Sequence, residues 1–131
     1  MSDIKYISVE EYLMGRIKVE ELTPEQVGNM NTLIPKINTL LERYKRPLEM
    51  NSGFRTEEEQ MRINPKAPKS KHTECAAIDI GDKDHNFRYW VLMHLDYLIE
   101  LGLYMEDPSH TPTWVHLQCI PPKSGKRIFI P

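Results

Sequence analysis

The sequence predicts a small α+β domain in which a few-stranded, mostly antiparallel sheet packs against two long helices. Three observations predict it. Apolar residues recur at helical spacing between Thr23 and Pro47, a second such stripe lies between Asn86 and Leu101, and the segments 48–52, 76–80 and 114–120 are short, apolar and bounded by turn residues. The chain has 131 residues, 40% hydrophobic and 27% charged, which is an ordinary globular composition and fits one domain over 1–131.

Ser8 and Glu11 have capping-box spacing, so a short helix is expected through about Met14. Thr23, Pro24 and Gln26 begin a longer helix, because Thr caps, Pro is tolerated at the first helical position and Gln reaches back to the cap. Its stripe is Val27, Met30, Ile34, Ile37, Leu41 and Tyr44, and Pro47 ends it. Residues 48–52 read as a strand leading into a turn at Gly53, and Thr56 caps a helical turn through Met61. The segment 64–70 holds two prolines and is expected to be irregular. Residues 76–80 form a strand closed by Gly81 and Asp82. The second long helix, 86–101, presents Phe87, Val91, Leu95, Leu98 and Leu101 inward, with Gly102 beyond its end. Residues 114–120 alternate as a strand, and 127–130 add an edge strand.

Lys and Arg total 17 against 19 Asp and Glu, a net charge of −2, so nothing draws the chain to nucleic acid. The longest apolar stretch, 87–105, is interrupted by Arg88, His94, Asp96 and Glu100, which argues against a membrane span. The first residues are polar and acidic where a secretory signal is basic and then apolar, so synthesis in the cytoplasm is expected. Cys75 and Cys119 are too few for a disulfide framework and are expected as thiols. A monomer is expected.

The chemistry is concentrated in three blocks: SGFRTEEEQ at 52–60, SKHTECAAID at 70–79 and TPTWVHLQ at 111–118. Asp79 lies on one expected strand, His72 on the loop feeding it and His116 within another strand. Because strand side chains alternate, Asp79 shares a face with Ala77, and His116 shares one with Gln118. If the two strands are neighbours, two imidazoles and one carboxylate converge. Such a set with an open fourth position is typical of catalytic zinc, whereas closed structural sites more often use cysteines. A lone strand histidine is usually structural, so the grouping carries the reading.

Taken together, these blocks resemble the zinc D-Ala-D-Ala carboxypeptidase family, which includes phage L-alanyl-D-glutamate endopeptidases and vancomycin-resistance dipeptidases and is related in fold to hedgehog domains. The family signature is Ser-x-His, then Ala-x-Asp, then a flanked His on a strand. Here it is matched by Ser70, His72, Ala77, Asp79, Trp114 and His116. The resemblance implies that His72, Asp79 and His116 are zinc ligands and that Arg55 organises the site and faces substrate carbonyl or carboxylate groups, a task that suits a guanidinium. The alternative for Arg55 is a surface ion pair with Glu57 to Glu59. Gln60 and Ser70 match supporting or substrate-contact positions. The implied activity is hydrolysis of peptidoglycan stem peptides, D,D-carboxypeptidase or L-Ala-D-Glu endopeptidase in type. The implied source is a phage or prophage whose product reaches the wall after release or within a virion.

The chain departs from the family pattern twice. Cys75 stands where the family commonly has Gly, so a differently shaped loop or a thiol near the metal is one expectation, and a buried inert cysteine is the other. Thr113 stands where many members have the catalytic Glu. A base is still needed to take and return the proton of the attacking water. The candidates are Glu106, Asp107 and His110, expected in the loop before the His116 strand, with Glu106 preferred. The missing Glu also keeps a second reading open, an inactive zinc-binding module of the same fold for wall recognition or virion structure. His85, His94, Tyr89, Trp90 and Tyr97 read as structural, and Lys123, Lys126 and Arg127 as a solvated turn.

Overall fold

The computed structural model describes residues 6–67 and 70–131. Helix α1 (Val9–Leu13) is capped by the Ser8 hydroxyl, which accepts from the Glu11 amide. Helix α2 (Pro24–Tyr44) starts at a full capping box made by Thr23 and Gln26, with Pro24 in its first turn, and ends where Lys45 turns left-handed. Its buried face is Met30, Leu33, Ile34, Ile37, Leu40 and Leu41, wider than the expected stripe by Leu33 and Leu40. Strand β1 (Met50–Ser52) leads through Gly53 to helix α3 (Glu57–Ile63), which has a capping box of its own from Thr56 and Glu59. Strand β2 (Ala77–Gly81) precedes helices α4 (Asn86–Met93) and α5 (Leu95–Leu101), strand β3 (Tyr104–Glu106), strand β4 (Trp114–Gln118) and strand β5 (Ile128–Phe129). Single 3-10 turns cover Val19–Glu21 and Pro108–His110.

The five strands form one sheet in the order β1-β2-β4-β3-β5, antiparallel except for the β3–β5 edge. The architecture is therefore the α+β class expected. Alternation divides the sheet into two faces. Ile78, Ile80, Met105, Val115 and Leu117 enter the hydrophobic core with the buried side of α2 and with Phe87, Val91 and Leu98. The other face carries the polar residues of the three sequence blocks.

Two expectations are corrected. The second long helix is two short ones, because His94 leaves helical geometry at φ −130° and ψ 47°. Its ring stacks on Tyr97 at 4.7 Å between centroids and lies 4.9 Å from Trp90, a packing that the three-and-four spacing of apolar residues does not register. One consequence is that Leu95, expected to point inward, is exposed. The second correction concerns β3, expected as a loop. Three residues are too few for alternation to show, yet Tyr104 pairs with Gln118 and Met105 with Leu117.

The loop from β3 to β4 is held by a buried ion pair. Arg88 Nε donates to Asp82 Oδ2 at 2.8 Å, and both residues are almost fully buried. The rest of the guanidinium donates to the carbonyls of Pro108, Thr111, Pro112 and Trp114, while Asp82 accepts from the amides of Phe87 and Arg88 and so caps α4. Removing the cation would strand a buried carboxylate and four carbonyls. Arg88→Met is expected to destabilise the fold by about 3–5 kcal/mol, read as a lower urea midpoint at unchanged slope.

Candidate metal centre

Strands β2 and β4 are direct neighbours, and their register pairs Asp79 with His116. Ser52 on β1 also pairs with Asp79. Continuing the β3–β4 register by one residue sets Glu106 beside His116, so Ser52, Asp79, His116 and Glu106 form one row across four strands on the face away from the core. His72 joins them from the loop before β2. His72, Asp79 and His116 are 3%, 6% and 9% exposed, and each offers a ligand atom within 4.8 Å of the others.

The orientation of each imidazole follows from its partners. His72 Nδ1 lies 2.8 Å from the Gly53 carbonyl, which can only accept, so Nδ1 carries the proton and Nε2 faces Asp79 Oδ1 at 3.2 Å. The Gln118 amide nitrogen donates to the Ile120 carbonyl, which turns Gln118 Oε1 toward His116 Nε2 at 2.9 Å. His116 Nε2 therefore donates, and His116 Nδ1 faces Asp79 Oδ1 at 2.9 Å. Two nitrogen lone pairs and one carboxylate oxygen thus converge, an arrangement that needs a cation between them. Donors about 2.0–2.1 Å from a tetrahedral ion are about 3.3 Å apart, close to these separations. The donor set fits a divalent metal with borderline-soft character, and both outward N–H groups are held as metal-ligating histidines require.

A proton on an inward nitrogen can stand in for the cation, and the shifts that follow belong to that protonated form. Burial pushes the Asp79 carboxyl up, but hydrogen bonds and charge from His116 and His72 outweigh it and hold the group well below the usual carboxylate range. Burial pulls both imidazoles down. At His72 it prevails, whereas at His116 the hydrogen bond and charge of Asp79 more than offset it, leaving that ring above its usual value.

Arg55 reaches the same cluster. Its NH2 group donates to Asp79 Oδ2 at 3.3 Å, its NH1 group to Gln60 Oε1 at 3.0 Å and its Nε to Ser52 Oγ at 3.3 Å. The expected alternative, an ion pair with Glu57 to Glu59, is not formed; Glu59 pairs with Arg16 instead. Gln60 is buried and is itself fixed by donating to the Ala67 carbonyl, so it supports Arg55 from α3. The Ser70 hydroxyl accepts from the His72 amide and shapes the turn that delivers the imidazole.

The three candidate bases are placed differently. Glu106 is on β3, not in a loop, and is half-buried beside His116 and Asp79; burial raises its carboxyl, His116 pulls it down and Asp79 pushes it further up. Asp107 turns its carboxylate to the Ser109 amide and caps the 3-10 turn, and His110 ends that turn exposed to solvent. The structure brings Glu106 to the cluster and leaves Asp107 and His110 at its rim. Cys75 is fully buried at φ +60°, the left-handed conformation that glycine adopts freely, so the turn keeps a glycine-type backbone; burial pushes its thiol up to about 12. Cys119 lies apart, its sulfur near the Asn29 carbonyl.

Sequence reasoning had no role for Gln118 or Phe129. The only signal for Gln118 was its shared strand face with His116, and Phe129, whose ring meets His116 edge-on at 6.0 Å, belongs to an edge strand of two residues. Gln118→Leu is expected to weaken binding of a divalent metal about 10–100-fold with the fold intact, measured by competition with a chromogenic chelator.

A family model described as Peptidase M15 matches residues 6–117. Among solved structures, the chain is similar to the L-Ala D-Glu endopeptidase ChiX of Serratia marcescens, at 16% identity and a TM-score of 0.49, over 74% of this chain and 87% of that one. No curated protein matches the chain.

Proposed function

The chain belongs to the peptidase M15 family, and from that premise we propose that it is a zinc metallopeptidase hydrolysing the stem peptides of peptidoglycan. The observation that carries this reading is the convergence of His72 Nε2 and His116 Nδ1 on Asp79 Oδ1, with the opposite ring nitrogens committed to Gly53 and Gln118. These three residues would hold the zinc. A zinc ion in such a set supplies Lewis acidity, which makes water a nucleophile near neutral pH. The substrate class follows the resemblance carried by Ser70, His72, Ala77, Asp79, Trp114 and His116, as does action at the bacterial wall by a phage or prophage product.

Glu106 is the proton carrier in this reading. It stands one strand from His116 on the same face, partly withdrawn from water, where a carboxylate can take a proton from the attacking water and return it to the leaving amine. Arg55 uses three of its five N–H donors on Ser52, Gln60 and Asp79. The other two are available to a substrate carbonyl as charge develops on its oxygen. Its first task is to fix Asp79, and its second is to bind substrate. Ser70 and Gln60 act through His72 and Arg55.

Purified protein incubated with muropeptides is expected to release fragments detectable by mass spectrometry, and a chelator is expected to stop release until zinc is restored. His116→Ala should lose both zinc retention and cleavage. Glu106→Gln should retain zinc while turnover falls about 10²–10⁴-fold. Full activity in His116→Ala would refute the metal assignment, and an active Glu106→Gln would move the base to Asp107 or His110. Zinc bound with no fragments released would instead make the chain a binding module.

A further inference from the structure

The Gly53 carbonyl that accepts from His72 Nδ1 belongs to a peptide clamped by the end of α1 and the turn after it. Three contacts make the clamp. The Tyr12 carbonyl accepts from the Phe54 amide at 2.9 Å, Arg16 Nη1 donates to the Phe54 carbonyl at 2.7 Å, and the Gly53 amide donates to Met14 Sδ at 3.2 Å. Arg16 is tied in turn to Glu59 on α3. Gly53 therefore holds a thioether by its N–H and an imidazole by its carbonyl.

Met14 caps α1 at φ 56° and ψ 26°, a left-handed backbone that non-glycine residues seldom adopt, and its amide donates to the carbonyls of Glu10 and Glu11. Its backbone is thus fixed while its side chain reaches Gly53. Met14 is also 37% exposed, which gives a small oxidant access to a thioether that touches the support of His72. A sulfoxide does not fit this contact. An oxygen set between sulfur and amide would itself need about 2.7–3.2 Å from the nitrogen, the whole span that the sulfur now occupies. Turned away from the amide, the oxygen leaves an electron-poor sulfur facing the N–H. Either way the Gly53 amide loses its present place, and because the following peptide is pinned to Tyr12 and Arg16, the displacement is passed to the Gly53 carbonyl.

Building on the metal centre proposed above, we propose that Met14 is an oxidation site through which hydroperoxides loosen the hold of His72 on the metal. A sulfur lone pair attacks one oxygen of hydrogen peroxide, the S–O bond forms as the O–O bond breaks, and the proton of the transferred oxygen passes to the departing hydroxide to make water. The thioether gives up two electrons and the peroxide takes them. The sulfoxide displaces Gly53, the Gly53 carbonyl turns from His72 Nδ1, and Nε2 loses its aim at Asp79. Met14 is a positioning residue, and methionine sulfoxide reductases reverse the change.

The test treats the metal-free full chain with hydrogen peroxide, locates sulfoxides by peptide mass spectrometry and measures zinc affinity by competition with a chromogenic chelator. Met14 should convert along with the more exposed Met61 and Met93, while the buried Met30 and Met105 stay reduced. Zinc affinity should fall about tenfold. It should recover with methionine sulfoxide reductase and stay low with dithiothreitol alone, which reverses cysteine disulfides and sulfenic acids but leaves the sulfoxide. Met14→Leu should show the same affinity before and after peroxide. An equal fall in Met14→Leu, no fall in wild type oxidised at Met14, or no recovery with the reductase overturns the proposal; so does a Met14 that stays reduced when Met61 and Met93 have converted. The reductase arm uses wild type alone and decides the matter even where Met14→Leu folds poorly. If the untreated protein binds no zinc, the metal reading fails, and nitrogen NMR of the His72 ring, identified by its loss in His72→Gln, still decides the coupling. A ring signal that moves on oxidation of wild type and returns with the reductase supports it, and an unmoved signal overturns it.

Discussion

Two nitrogen lone pairs and a carboxylate oxygen face one another at 2.9 and 3.2 Å, and that crowding is the constraint around which the rest of the structure is arranged. Each imidazole has already committed its N–H to a carbonyl oxygen on the far side, so neither can relieve the crowding by turning its proton inward. A neutral core would expel such a group. Here it is kept by supports from five directions: the β2–β4 register, the turn that begins at Ser70, the Gly53 carbonyl, the Gln118 amide and the Arg55 guanidinium. Each support fixes an orientation, and together they leave the inward side free for a cation.

Those supports place demands on residues far from the chemistry. Gly53 must offer its carbonyl to His72 while its backbone passes Tyr12; a Cβ there would lie 2.2 Å from the Tyr12 carbonyl oxygen. That same oxygen accepts from the Phe54 amide, and the Tyr12 hydroxyl donates to the Ala77 carbonyl at the start of β2. Helix α1 is thus the brace that sets β1 against the strand carrying Asp79. On the other side of His72, Cys75 is held left-handed at a cost of roughly 1–2 kcal/mol, with its side chain wholly buried. Strain of that kind persists only where the surroundings over-determine the turn. The turn from Lys71 to Ala76, closed by the Ala76 amide on the Lys71 carbonyl, is what brings His72 back over Asp79.

Local physics made part of this readable in the sequence. Thr23 with Gln26 and Thr56 with Glu59 close their capping boxes from side chains three residues apart, so α2 and α3 begin where spacing places them. The strand holding Asp79 and the strand holding His116 were legible as short apolar segments, and alternation put each of these two residues on a definite face. What spacing could not supply was adjacency. That β2 and β4 are neighbours, skipping β3, is a tertiary fact, and so is the row that sets Glu106 beside His116. The break at His94 was invisible for a related reason: Val91 and Leu95 keep a helical interval while the backbone between them departs from it, because ring packing among Trp90, His94 and Tyr97 decides the geometry. Arg55 illustrates the same limit. Three carboxylates lie within four residues of it in sequence, yet the guanidinium crosses to Asp79, whose desolvated charge is worth more to it than a solvated one.

The site also divides along the chain. The residues that would hold zinc, the guanidinium behind them and Glu106 all fall within the 6–117 span matched by the family model, whereas Gln118 and Phe129 lie beyond it. Yet the later segment is not an appendage. Strand β5 runs parallel to β3, the Met105 amide donates to the Arg127 carbonyl, and the Asp107 amide donates to that of Phe129, so the backbone on both sides of Glu106 is held by residues after the match ends. A two-residue strand therefore acts twice beside the centre: it steadies the backbone that carries Glu106, and it sets the Phe129 ring edge-on against His116. The candidate metal site lies on the central strands, and its neighbour Glu106 is held in place from the edge.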